Sequence, residues 1–242
     1  MMASVVIGGH RKKSLTLRGV DPETCMIVFK NHWAQVIFLF TPASSSSSLA
    51  SAVQNYVEHM LFLLMEEEAG GAMGPILEFV VLEGVMERLF LWSLRRQFTE
   101  DMKLEQLRMY QMLLSQAKQP LLHHKPVLRP LMMLLLGHSP PPLGASPILT
   151  PGLPVLLLNQ LCVALVKDPS VLELFFHTSE DQGAANFLLF SLLIPYTHRQ
   201  GLVGQQARDA LLLIMSLSAS EPRVAQHIAE NTYFCPVSKC TT

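Results

Sequence analysis

The chain has 242 residues, half of them hydrophobic and only 15% charged, with a formal net charge of −1. A charged fraction well below the usual quarter or so leaves ample material for a core, and a surplus of apolar surface for something else to cover. Near-neutrality removes any global electrostatic case for binding nucleic acid or an anionic membrane.

Residues 1–20 carry Arg11, Lys12, Lys13 and Arg18 among few large apolar groups and read as a mobile basic arm, solvated rather than phosphate-binding. Asp21-Pro22-Glu23 opens the first helix with a capping acceptor, an early proline and a first-turn acid. Ile27, Trp33, Val36 and Ile37 are its expected core face. Thr41-Pro42-Ala43 and the run Ser44–Ser48 end it in a low-complexity link over 41–52. Tyr56, Met60, Leu63 and Leu64 form a second stripe, closed by Glu66–Glu68. Those acids oppose the dipole at a helix C-terminus, so fraying is expected.

Pro75–Leu82 and Gly84–Phe98 read as one or two helices ending in Arg95-Arg96. Thr99 with Glu100-Asp101 starts another, whose face is Leu107, Tyr110, Leu114 and Ala117. A further helix follows Lys125-Pro126 and ends at Gly137. Residues 139–154 hold six of the 16 prolines and predict an extended loop, a spacer between repeats. The helical pattern resumes over Val155–Val166.

The stretch Lys167–Leu217 predicts three helices. The first is Val171–Phe176, after Asp168-Pro169. The second follows Ser179-Glu180-Asp181 and ends or bends at Pro195. The third starts near Gly201–Gly204, with Val203, Ala207, Ala210, Leu211, Ile214 and Leu217 on one face. Apolar all round from Leu211 to Met215, it should be covered on more than one side. A final helix after Glu221-Pro222 carries Val224, Ile228 and Ala229. No strand pair stands out. The fold class expected is all-α, a degenerate HEAT- or armadillo-like helical solenoid of roughly nine or ten helices, pairing about every 40 residues. It divides into the arm 1–20, helical repeats over 21–138, the Pro-rich loop 139–154, a second set of repeats over 155–237 and a tail, 238–242.

Little here invites chemistry. His123-His124 suggests a metal by eye, yet adjacent helical residues point about 100° apart and no acid or cysteine lies beside them in sequence. Cys235, Cys240 and His227 form one loose set where a zinc site wants paired short spacings. The four cysteines, including Cys25 and Cys162, make no compact disulfide framework and read as reduced thiols of a cytosolic protein. MMASVVIGGHRKK places apolar residues before basic ones, the reverse of a secretory signal. Lys30, Asn31 and His32, and further on Asn159-Gln160, interrupt the longest apolar spans, and FLLFSLLI is far shorter than the roughly 20 residues of a membrane helix. There is no nucleophile elbow, phosphate-binding glycine loop or paired-histidine protease motif. His177, Glu180 and Asp181 are the one cluster an enzyme could use, and they have simpler work as caps. The expectation is no enzyme, no cofactor and no metal. An exposed recognition turn is expected at His177, Ser179, Glu180, Asp181 and Gln182, with Arg199, Gln205, Arg208 and Asp209 on the adjoining helix. The competing reading is that these are caps and solvated faces.

Several runs carry a resemblance. HTSEDQGAANFLLFSLLIPY, GLVGQQARDALLLIMSLS and AENTYFCPV closely resemble the HOOK-interacting subunit family of the FHF complex (the FHIP family), early-endosome branch. LWSLRRQFTEDMKLEQLRMYQMLLSQAKQPLLHHKPVLRPLMMLLL and LLNQLCVALVKDPSVLELFF resemble it in the same order. The match covers roughly Val20–Val36 and Val81–Val237, and is weakest from Ile37 to about Gly74, where IFLFTPASSSSS replaces polar and charged residues. The resemblance implies an α-helical adaptor working with HOOK proteins and the ubiquitin-conjugating-enzyme-like FHF subunit. It further implies an early-endosomal Rab GTPase and, indirectly, dynein–dynactin, in the cytoplasm at the periphery of early endosomes. Family members continue well beyond the last matched run, so the chain resembles a shortened N-terminal form. The alternatives are a generic α-solenoid protein-binding scaffold, a truncated regulatory isoform without a full partner site, or a lipid-surface protein using Arg11–Arg18.

Overall fold

The computed structural model describes residues 21–40, 47–70, 73–95, 99–137, 152–177 and 186–231. The basic arm, the first part of the Ser-rich link, the Pro-rich loop up to residue 151 and the tail from residue 232 lie outside these. Among the described residues there are ten α-helices, one 3-10 helix and a two-residue β pairing. The chain is all-α and solenoid-like, and divides into two compact units, Met1–Glu67 and Glu68–Thr242.

The first unit pairs α1 (Pro22–Leu39) with α2 (Ser47–Glu66). Asp21 caps α1 as its sequence predicts, accepting from the Thr24 N–H at 3.1 Å, with Pro22 in the first turn. The buried face of α1 is Cys25, Phe29, Trp33 and Val36. Ile27, expected in the core, is 60% exposed, because the stripe that faces α2 passes through positions 25, 29, 33 and 36 instead. Helix α2 starts at Ser47, inside the expected link over 41–52. Serine, alanine and leucine there extend a helix already nucleated by the stripe of Val53, Met60, Leu63 and Leu64.

The second unit begins with α3 (Pro75–Leu82) and α4 (Val85–Arg95), separated at Gly84, whose φ of 58° ends the first helix. The start of α3 is held from a distance: buried Gln119 accepts from the Gly74 N–H at 2.8 Å. Thr99 caps α5 (Glu100–Gln116) through the Met102 N–H. The face of α5 is Leu104, Leu107, Tyr110 and Leu113, one step round from that expected, and Leu114 and Ala117 are half-buried. Tyr110 donates its hydroxyl to the Val127 carbonyl at 3.1 Å, joining α5 to α6 (Lys125–Leu136).

Helix α7 (Gly152–Lys167) starts inside the expected loop 139–154, since Pro154 falls in a first turn where its missing N–H costs nothing. Val155, Leu157, Leu158, Leu161, Cys162 and Leu165 are buried on more than one of its sides, and it packs on α5, α8 (Leu188–Thr197) and most extensively α9 (Gly201–Leu217). Ala207 and Ala210 let α9 approach closely, and Asn159 donates to the Gln206 carbonyl at 3.3 Å. Helices α5, α7 and α9 thus stack as one row, each on the helix two further along, as solenoid repeats do. The second half of α9 is less enclosed than its composition suggests: Leu212 stays 64% exposed.

Between α7 and α8 the predicted helix Val171–Phe176 is a 3-10 helix, Pro169–Phe175, followed by strand β1 (Phe176–His177) paired antiparallel with β2 (Asn186–Phe187). The segment is anchored at both ends, and a 3-10 turn covers more distance per residue than an α turn. One anchor is Asp168, which accepts from the Ser170 N–H. The other is the stacked pair Phe176 and Phe187, 4.9 Å between ring centroids, which closes the short ladder. Helix α8 runs two residues past Pro195, because the proline falls in the last turn and forfeits a single backbone bond. Helix α10 (Pro222–Asn231) buries Val224, His227 and Ile228 and leaves Ala229 exposed. No described helix is long and apolar enough to cross a membrane.

Candidate functional site

The expected recognition turn is only partly visible. Ser179, Glu180, Asp181 and Gln182 lie outside the described residues, and His177 is placed by its backbone alone, opposite Asn186 in the ladder. That ladder leads into the N-terminal end of α8. Arg199, Gln205, Arg208 and Asp209 gather instead at the corner between the C-terminal end of α8 and the start of α9. A helix of ten residues separates these ends by about 15 Å, so His177 and the corner are not one cluster.

At the corner Arg208 has a defined local role. Its Nη1 donates to the Thr197 carbonyl at 2.8 Å and lies 3.4 Å from the Arg199 carbonyl, supplying donors to the open carbonyls at the end of α8. A cation there also suits the helix dipole. The two glycines open α9 by a close approach to the end of α8: Gly201 has a φ of 74°, and a Cβ on Gly204 would sit 1.7 Å from the Arg199 oxygen. The Arg199 guanidinium lies 5.6 Å from the centre of the Tyr196 ring. Burial pushes the Tyr196 hydroxyl above its ordinary pKa, with the Arg199 charge pulling the other way. Gln205 and Asp209 are exposed one turn apart on α9, free to hydrogen-bond a partner's surface.

A second polar cluster was not legible in the sequence. His123 Nε2 lies 2.7 Å from Asp168 Oδ2, and Ser170 Oγ lies 3.5 Å from that same nitrogen while donating to Asp168 Oδ1 at 2.5 Å. Serine, histidine and aspartate meet here, but not as a relay. A relay needs the acid on one ring nitrogen and the nucleophile on the other, and both contacts use Nε2. Asp168 is held below its ordinary pKa first by the Ser170 hydroxyl, then by the Ser170 N–H, with His123 contributing less. The cluster borders a cavity of about 280 Å³ whose wall includes Gln119, Gln160, Ala164 and Lys167. Only the helix start after Asp168-Pro169 was legible; the pairing of Asp168 with a histidine 45 residues earlier was not.

The remaining candidates resolve locally. His124 stands just before α6 without a side-chain capping bond, its carbonyl accepting from the Leu128 N–H at 3.1 Å, and burial first, then the His123 charge, lowers its pKa. His227 is a core histidine: the Phe187 N–H donates to its Nδ1 at 3.4 Å, and the rings of Phe187 and Phe190 meet it edge-on. Cys25 and Cys162 are buried, and Cys235 and Cys240 lie outside the described residues. Among the described residues no three histidine, cysteine or acidic side chains converge on a point.

The model of the RAI16-like family (retinoic acid induced 16-like protein) matches residues 76–239. A mouse protein and a human protein, each named FHF complex subunit HOOK-interacting protein 1A, are 65% and 64% identical to this chain over 98% of it. A Danio rerio protein named FHF complex subunit HOOK-interacting protein 1B is 50% identical over 90% of it. The chain spans 23%, 24% and 20% of these three relatives' lengths.

Proposed function

Because this chain belongs to the RAI16-like family, we propose that it serves as a non-enzymatic adaptor of an FHF-type complex. The observation that carries the reading is the 65% identity, over 98% of the chain, to a protein named as a HOOK-interacting FHF subunit. The partners proposed are a HOOK protein and the ubiquitin-conjugating-enzyme-like subunit. Through them, with an early-endosomal Rab GTPase, the chain would couple early endosomes to dynein–dynactin, acting in the cytoplasm at the endosome periphery. The stacked row α5, α7 and α9 suits that work, since a rigid row holds two partners at a fixed separation and raises their effective concentration for each other. The His123, Asp168 and Ser170 arrangement supports the non-enzymatic part, because its hydrogen bonds do not activate the serine.

Gln205 and Asp209 are the informative positions at the α8–α9 corner, since they are exposed and Arg208 is occupied with the fold. The test is capture of HOOK proteins and early-endosomal Rab GTPases from cell extract by the tagged chain and by its Q205A/D209A variant. Retention of HOOK by the chain, reduced in the variant, supports both the adaptor reading and this corner. Retention by a full-length relative but not by this chain would remove the adaptor contacts from these residues.

A further inference from the structure

The helix rows of the second unit are not equally complete. Helix α4 packs on α6, but α6 makes no comparable contact with α8 among the described residues. What lies between α6 and the start of α8 is a groove of about 510 Å³, whose far wall is Leu174, Phe176 and Leu188. Its near wall is a stripe of α6 side chains, Lys125, Arg129, Met133 and Leu136, spaced so that all point the same way. Met133 and Leu136 remain 50% and 53% exposed.

The groove is chemically one-sided. Its lining includes two cations and no carboxylate. Neither Lys125 nor Arg129 is ion-paired among the described residues. Both occupy the first turns of α6, where the positive end of the helix dipole adds to their field. The other end of the stripe is apolar. Methionine there adapts its shape to whatever it meets.

We propose that this groove is a docking site for an acidic amphipathic helix of another protein. Its carboxylates lie over Lys125 and Arg129, and its apolar anchors fill the space beside Met133 and Leu136. The stripe is about 16 Å long, three turns of such a helix, so anchors at i, i+3 or i+4, and i+7 cover about 10 Å of it and leave roughly one turn for the carboxylates over Lys125 and Arg129. A basic helix with the same anchors is rejected, because its charges would face two unpaired cations. The proposal goes beyond the adaptor reading and rests on the groove alone, so either can fail without the other.

The test uses the whole chain and a fluorescein-labelled designed helical peptide, with leucines at i, i+3 and i+7 and glutamates clustered towards one end. A second peptide carries lysines in place of the glutamates. Anisotropy titration should show the acidic peptide binding at least about tenfold tighter, with affinity falling as salt is added. The K125E/R129E variant should reverse the preference, a gain of binding that misfolding cannot mimic, and Met133→Glu should weaken both peptides. Equal affinity for the two peptides, or binding that survives all these substitutions, overturns the proposal. So does binding of phosphatidylserine vesicles through Lys125 and Arg129 without peptide binding, which would make the groove's ligand a membrane. Peptide binding that appears only in an E180A/D181A variant overturns it too, because the groove would then be filled by the chain's own acids.

Discussion

Arg208 donates from Nη1 to the Thr197 carbonyl at 2.8 Å, so a side chain of α9 closes the open end of α8. A residue that reads as a recognition cation in sequence therefore holds two helices at their corner. Arg208→Ala should cost about 1 kcal/mol in chemical denaturation, a charged hydrogen bond discounted for its partial exposure. Gln205→Ala and Asp209→Ala should lie within about 0.5 kcal/mol of the parent. Equal effects at all three positions would mean that Arg208 has no capping role.

The same corner depends on Gly204. Its missing Cβ is the space that the Arg199 carbonyl occupies, with the added atom 1.7 Å from oxygen and 2.6 Å from carbon. Both neighbours are backbone and cannot rotate away, so Gly204→Ala should destabilise by about 3 kcal/mol despite the better helix propensity of alanine. A thermal melt unchanged or raised by the substitution would contradict this close approach.

In the first unit His32 Nε2 and His59 Nδ1 are 2.7 Å apart, bridging α1 and α2 beside the Tyr56 ring. Burial first, then the His59 charge, holds His32 below its ordinary pKa of 6.5. The unfolded chain therefore takes up a proton at a higher pH than the folded one. The stability that neutral His32 supplies is complete above 6.5 and is lost as pH falls below it through the folded value. Melting temperature should drop between about pH 7.5 and about pH 5.5. His59→Gln, which keeps a polar partner but cannot ionise, should show a smaller drop. Identical drops would place the acid sensitivity elsewhere.

Cys162 is fully buried between α7 and its neighbours, and burial pushes its thiol far above the ordinary range; Cys25 is shifted the same way by burial, with Asp21 and Glu67 adding to it. Thiolate is the reactive form, so neither residue should react with iodoacetamide until the chain unfolds. Peptide-resolved mass spectrometry after a timed pulse measures this. Rapid labelling of native Cys162 would show that the row α5, α7 and α9 opens on the timescale of the pulse.

Much of the fold was legible because its signals are local. Asp21-Pro22 and Thr99 announce helix starts through acceptors and a preset φ, which act over three or four residues and take effect where expected. The apolar period of α9 gave its buried face at Ala207, Ala210, Leu211, Ile214 and Leu217. The candidate surface was less legible. Arg199, Gln205, Arg208 and Asp209 do sit together, as neighbours in sequence must at a tight corner, but the ladder carrying His177 lies at the far end of α8. The pairings His123 with Asp168 and Gln119 with Gly74 join residues 45 apart, a distance at which composition and periodicity carry no signal.

Sequence alone determined the helical class, most helix starts and the family, because capping, periodicity and long specific runs are properties of contiguous residues. Tertiary structure alone decided which apolar side chains are covered. Ile27, Leu212, Met133 and Leu136 are as hydrophobic as the residues buried beside them, yet remain exposed. Burial depends on what a neighbouring helix brings to that spot, and where α6, among the described residues, does not pack on α8 as it does on α4, an apolar stripe becomes a groove with a basic edge.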